Sequence, residues 1–346
     1  MAANYWESTQ RKHWQFTKEQ LASMRQRLED EDPALVQSFG LPQLRHLNIF
    51  FNQQLNRLGK RLGIRQQAVA TAQVYIKRFY IKVEIRRTNP FLVLATALYL
   101  ACKTEECPQH IRLMTQEARG LWTDMQLFHE PSKIGECEFW LISEMNSHLI
   151  IHQPYRTLTS LQSNLNLTND ELALAWSIVN DHYMTDLPLI YPPHAVALTA
   201  ILLAIVFRPS QSSGGGATAQ NQNQASAGGA GSAQLNNTGI PGVNAMTAAF
   251  NQLQQSRHPM TPGGVAGPQS SQPGAADNAS NAQKIERYSK VQRFGHWLSE
   301  SNVDLEAMVD CTQELISFYE CQESYNDKLT REQIVRFIKA KGLDKG

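Results

Sequence analysis

Two stretches of this 346-residue chain open on proline and are apolar on nearly every side, and they constrain its fold more than any other feature. Pro90–Cys102 follows Asn89, the order expected of an N-cap with proline at the first helical position. Pro193–Phe207 follows Pro192. A helix with no polar face has to be surrounded by others, so each stretch predicts a bundle built around it. The longest apolar run, Ala195–Phe207, has 13 residues. Crossing a bilayer takes about 20, so this run reads as a buried helix and no membrane partner is expected.

The two stretches also match each other. At an offset of 103, Pro90/Pro193, Val93/Val196, Thr96/Thr199, Ala97/Ala200, Leu100/Leu203 and Ala101/Ala204 coincide, and Leu98/Ile201 is conservative. In the helix before each, Val74/Ile178 and Phe79/Tyr183 align at an offset of 104. Two Ala/Leu helices could agree through composition alone. The shared proline, threonine and alanine positions favour an internal duplication of a five-helix unit.

The remaining segments follow helical periodicity. Leu44, Leu47, Phe51, Leu55, Leu58 and Leu62 step by three or four, as do Val69, Ala72, Ile76, Phe79 and Val83. A shorter helix is expected over Gln109–Arg119, and another from the N-cap Ser132 to Met145. Thr168 and Glu171 have capping-box spacing before a helix through Trp176 and Val179. Helices near Lys284–Leu298 and Val303–Tyr319 follow, and a last one begins at Thr330 with Gln333 closing a box. No stretch alternates long enough to be a strand, so the fold class is all-α.

Composition separates one segment from the rest. Pro209–Gln283 spans 75 residues with only Arg257 and Asp277 charged, holds 12 of the 20 glycines, and lacks Trp, Tyr and Cys. Such a stretch buries too little apolar surface to offset its ordering entropy, and it is expected to be a disordered insert. The organisation read from these signals is an N-terminal helical extension over 1–40, a first bundle over 41–150 and a second over 151–340 that contains the insert 209–283.

Lys+Arg 32 against Asp+Glu 31 leaves a net charge of +1, which argues against a surface devoted to nucleic acid or acidic membrane. Five cysteines, an odd number, make no disulfide framework and point to a reducing compartment. The opening segment has no apolar core and does not read as a secretory signal.

Several motifs resemble the cyclin family. Ala101-Cys102-Lys103-Thr104-Glu105-Glu106 is similar to the Ala-Ser-Lys-x-Glu-Glu end of a cyclin-box helix, and Ile134–Ile142 to the second cyclin signature. Within the family the likeness is to the cyclin C subfamily. It rests on Asn4–Ser8, Arg65–Ala72, Tyr75–Tyr80, His152–Arg156 and Ala175–Asp181. The resemblance covers the foldable chain, and the insert is similar to expansions in fungal members.

It implies two tandem five-helix cyclin boxes and a regulatory subunit with no cofactor, no metal and no catalytic residue of its own. The implied partners are the cyclin-dependent kinase of the Mediator complex and other subunits of that kinase module, in the nucleus, in RNA polymerase II transcription. Lys103 and Glu138 match the family's paired lysine and glutamate that face the kinase, with Glu105 and Glu106 next in line. Taken alone, Lys103 would serve only the negative end of its helix, and Glu138 would be a solvated residue. The motif at both positions favours kinase contact. Trp6 either packs on the first bundle, as Trp14 is expected to, or docks another Mediator subunit, two readings of equal weight.

Other sites read more weakly. Cys102 and Cys107 with His110 make three ligands where a structural zinc site needs four. His148, His152 and His194 have no nucleophile motif beside them. Arg86-Arg87 reads as a solvated helix end and Arg25–Leu28 as a chance match to a degradation signal. Gln43–Leu47 replaces the Met-Arg-Ala-Ile-Leu patch that docks substrates in cell-cycle cyclins, so that docking is not carried over. Two alternatives remain: a promoter-binding protein of the general factor IIB type, using a patch of Lys77, Arg78, Lys82, Arg86 and Arg87, and a cyclin of the H or T type. No direct contact with nucleic acid is expected on the main reading.

Overall fold

The computed structural model describes residues 4–207 and 288–345. The expected insert over 209–283 lies outside them, and the helix expected over Lys284–Leu298 is described from 288 onward. Among the described residues there are helices and turns and no strand.

Three short helices lead in: α1 (Thr9–His13), α2 (Lys18–Asp30) and α3 (Pro33–Ser38). The first bundle consists of α4 (Leu44–Arg61), α5 (Gln66–Tyr80), α6 (Pro90–Thr104), α7 (Ile111–Leu121) and α8 (Ser132–Glu144). The second consists of α9 (Tyr155–Leu161), α10 (Asn169–His182), the short α11 (Leu187–Ile190), α12 (Pro193–Val206), α13 (288–299) and α14 (Leu305–Glu323). The last helix is α15 (Asp327–Ala340).

The two proline-opened helices are the bundle axes, as their apolar circumference requires. Helix α6 packs against α4, α5, α7 and α8, while α12 packs against α9, α10 and α14. The duplication carries into side-chain contacts. Cys137 of α8 lies against Thr96 of α6, and Cys311 of α14 lies against Thr199 of α12. Those threonines are one of the pairs matched at an offset of 103.

Local signals set most helix ends. Asn89 caps α6 through the amides of Phe91 and Leu92. Thr168 and Glu171 form the expected capping box on α10, and Thr17 with Gln20 forms another on α2. After α4, Gly63 takes a left-handed φ of 63° and Ile64 donates to the carbonyl of Gly59, the turn that favours glycine.

Some expectations are corrected. Helix α5 ends at Tyr80, so Val83 lies beyond it. Pro131 occupies the cap of α8, and the Ser132 hydroxyl donates instead to Glu130. The last helix starts at Asp327, where Asn326 caps Leu329; Thr330 is buried in its first turn. Asn326 has an acceptor free to meet the first amides, which Thr330 would have to leave the core to do.

Contacts tie the halves together. Helix α15 (Asp327–Ala340) puts Ile334, Phe337 and Ile338 into the core of the first bundle, while Ile49, Ala70 and Val74 of the first bundle join the core of the second. Arg45 pairs with Glu314 and donates to Ser317 Oγ at 2.7 Å. The N-terminal extension reaches the second bundle through Arg25–Asp186, Lys18–Asp310 and the Phe16 amide on the Leu189 carbonyl, and the first through Glu31–Arg87.

Candidate functional site

Lys103 lies in the last turn of α6 and Glu138 in the middle of α8, and packing of the two helices brings them together. The Lys103 Nζ donates to both Glu138 oxygens at 2.8 and 2.9 Å. The same ammonium sits 4.4 Å above the ring of Tyr99, one turn back on α6. Glu138 is the more enclosed partner, with 13% of its side chain exposed against 42% for Lys103. Partial desolvation lowers the Lys103 pKa, but the Glu138 carboxylate and Tyr99 outweigh it, and the net shift is upward. The ammonium is therefore held charged and oriented at a surface.

That surface is apolar beside the pair. Phe139, next to Glu138, has 77% of its area exposed, and Trp140 is also exposed although its ring packs edge-on against Phe79. An exposed phenylalanine next to a fixed ion pair combines an apolar anchor with hydrogen-bonding groups that a partner could reach.

Glu105 and Glu106 part company here. The Glu105 carboxylate turns inward, accepting from Thr71 Oγ1 at 2.6 Å and from Gln153 Nε2 at 3.4 Å. Gln153 also donates to the Gln67 carbonyl, so this network ties α5 and the end of α6 to the segment entering the second bundle. Glu106 is exposed and left-handed, with φ 55°, where the Cys107 amide closes the helix by donating to the Cys102 carbonyl at 2.9 Å. Sequence reading missed the exposed Phe139 and the Tyr99 contact. The apolar Phe139 on the outer face of α8 was the available signal.

Trp14 is buried in the first core, with its Nε1 donating to His148 Nδ1 at 3.1 Å and the Arg78 guanidinium 4.8 Å from its ring. Trp6 is different: 52% exposed, it rests on His194 and beneath the Arg11 guanidinium.

The basic patch weighed for a nucleic-acid role is not a surface. Lys77, Arg78 and Arg86 are all buried. Arg86, expected to be solvated, pairs with the buried Glu84 and donates to the Phe39 carbonyl at 2.6 Å, while Arg87 pairs with Glu31. Cys102 is buried in the core, where desolvation and then Cys107 push its thiol up to about 12. No group of three potential metal-binding side chains is found among the described residues, and no helix among them is long and apolar enough to cross a membrane.

A family model described as the cyclin N-terminal domain matches residues 15–150. The RNA polymerase II holoenzyme cyclin-like subunit of Neurospora crassa is 63% identical over 346 residues, covering 100% of both chains. The protein of the same name from Chaetomium globosum is 58% identical over 364 residues, again covering 100% of both. Among solved structures, a chain of the CAK complex from Chaetomium thermophilum bound to ATP-gamma-S superposes with a TM-score of 0.57. It is 18% identical, and the match covers 99% of this chain and 88% of that one. At that identity the likeness concerns the fold.

Proposed function

The chain belongs to the cyclin family, and on that premise we propose that it is the regulatory subunit, of the cyclin C kind, of the Mediator cyclin-dependent kinase. Its relatives are named as RNA polymerase II holoenzyme cyclin-like subunits, which supports a place in transcription and in the nucleus. The tandem organisation belongs to the same proposal, with boxes over 41–150 and 151–340 behind the extension 1–40.

The observation that carries the reading is the Lys103–Glu138 pair, braced by two packed helices beside the exposed Phe139. A kinase needs its own Lys–Glu ion pair and metal-binding Asp in place together, and one mobile helix governs that pair. A partner surface that binds the inward position of that helix more tightly shifts the kinase towards activity in proportion to the difference. In this reading Phe139 supplies apolar contact, and Lys103 and Glu138 meet polar groups of the kinase at its edge. Glu106 borders the same helix end, and Glu105 acts on the surface indirectly by fixing the end of α6. The kinase supplies ATP, magnesium and the chemistry. We place a second contact, for another subunit of the Mediator kinase module, at Trp6, which is half exposed where the extension meets the second bundle.

Co-expression with the Mediator kinase tests the main contact. The double variant Lys103→Glu with Glu138→Lys retains an ion pair but reverses its polarity. It should keep the helical circular dichroism and lose kinase binding and activation. Binding equal to wild type by the folded variant would sink the assignment. No binding by wild type would overturn the choice of partner.

A further inference from the structure

Of the five cysteines, Cys102, Cys137 and Cys311 are buried, and Cys107 and Cys321 are half-buried. The close of α6 brings Cys102 and Cys107 together. The helix ends at Thr104, Glu106 takes its left-handed φ of 55°, and the Cys107 amide donates to the Cys102 carbonyl at 2.9 Å. Pro108 follows at once and turns Cys107 away from any further helix.

That backbone hydrogen bond sets the reach of the pair. Bond lengths along Cα–N···O=C–Cα hold the two α-carbons within about 7 Å, and a disulfide needs its α-carbons no farther apart than about that. The side chains converge as well, with the two thiols in hydrogen-bond contact. Their surroundings differ. Cys102 is fully buried in the packed core, whereas Cys107 lies in the turn beyond the helix and reaches solvent. One thiol is open to a small oxidant, and the other is sheltered but already beside it.

We propose that Cys102 and Cys107 are a peroxide-responsive modification site, a dithiol that closes reversibly into a disulfide across the end of α6. Hydrogen peroxide is the oxidant. The Cys107 thiolate attacks one peroxide oxygen; an S–O bond forms, the O–O bond breaks, and the hydroxide released takes the proton Cys107 gave up. The Cys102 sulfur then attacks the Cys107 sulfur. The S–S bond forms, the S–O bond breaks, and the departing hydroxide leaves as water with the Cys102 proton. Two thiols and one peroxide thus give one disulfide and two waters. Desolvation, and then Cys107 itself, push the Cys102 thiol up to about 12, so Cys102 stays protonated until its neighbour is oxidised. In a reducing compartment such a pair rests as the dithiol and closes transiently, the use that disulfides have there. The bridge would span Lys103 to Glu106 and fasten the left-handed turn. It needs no partner protein, so it stands apart from the kinase contact.

Trypsin makes the bond visible, because Lys103 lies between the two cysteines: cleavage puts Cys102 in residues 88–103 and Cys107 in residues 104–112. The full-length chain is treated with hydrogen peroxide, quenched with iodoacetamide, digested and mapped by mass spectrometry. The two peptides should appear joined, two hydrogens lighter than their sum, and dithiothreitol should separate them. Half-buried Cys321 is the internal reference for exposure alone. In Cys102→Ala, Cys107 should accumulate as a sulfenic acid that dimedone traps. In Cys107→Ala, Cys102 should remain a free thiol under the same treatment. The second variant changes only a half-buried residue beyond the helix, so it keeps the test decisive even where loss of the core thiol impairs folding, and circular dichroism checks both. Unjoined peptides from wild type in which Cys321 is oxidised, Cys107 joined to a second chain, or Cys102 oxidised as fast in Cys107→Ala would each overturn the proposal.

Discussion

Replacing Asp181 by Asn should change the sign of its effect on stability between acid and neutral pH. Asp181 is fully buried in α10; one oxygen accepts from Tyr319 at 3.1 Å, and the other has no partner. Burial raises its pKa from 3.8 to about 8, with the Tyr319 hydrogen bond acting in the opposite direction. Between those values the folded chain keeps a proton that the unfolded chain has released. Stability therefore falls as pH rises, by about 1.4 kcal/mol per pH unit, reaching about 4 kcal/mol at neutral pH. Asparagine removes this dependence while keeping an oxygen for Tyr319. Its amide carries two unpaired donors where the protonated carboxyl carries one, a difference of about 1–3 kcal/mol independent of pH. The variant should then be less stable than wild type below about pH 5 and more stable above about pH 6.

His182, next in sequence, tilts wild type the other way. Burial lowers its pKa from 6.5 to about 3, so its contribution is lost as pH falls through that window. The two slopes oppose each other in wild type, and only the difference between the two proteins isolates Asp181. Urea unfolding at a series of pH values measures that difference. A difference that stays flat from about pH 5 to about pH 8 would refute an Asp181 that is protonated in the folded state.

Other outcomes follow from single contacts. Glu106→Gly should raise stability by about 1 kcal/mol in urea unfolding, because Glu106 holds a left-handed φ of 55°; kinase affinity of the same variant tests its place in the contact. Trp14→Ala should lose about 3–5 kcal/mol, removing a buried ring and its contact with the Arg78 guanidinium. Trp6→Ala should change the melting temperature little and, if Trp6 docks a subunit, weaken that association in a pull-down. Native protein treated with iodoacetamide should be alkylated at the half-buried Cys107 and Cys321 and spared at Cys102, Cys137 and Cys311, which are buried. Peptide mass spectrometry reads the pattern, and early modification of Cys137 would contradict the packing of α8.

The helices whose evidence is local were legible in the sequence. Asn89-Pro90 and Thr168-x-x-Glu171 act within one turn, and both cap as their residue types require. Arg86 was misread because its burial depends on packing: Glu84 is two residues away, but the Phe39 carbonyl that completes its set of partners is 47 away. Thr330 was misread because a cap depends on which competing residue stays out of the core. Lys103 and Glu138 were each weak evidence alone; the motif named both, and packing across 35 residues of sequence joined them.

What the sequence determined by itself was the all-α class and the two central helices. A helix that is apolar all round has one stable environment, whichever neighbours supply it. Tertiary structure decided the polar chemistry: that Lys103 meets Glu138, that Glu105 faces inward to Thr71, and that Arg25 meets Asp186. The reason is range. Hydrophobic burial is non-directional and survives approximate placement, whereas an ion pair or hydrogen bond exists only when packing sets two distant side chains within about 3 Å.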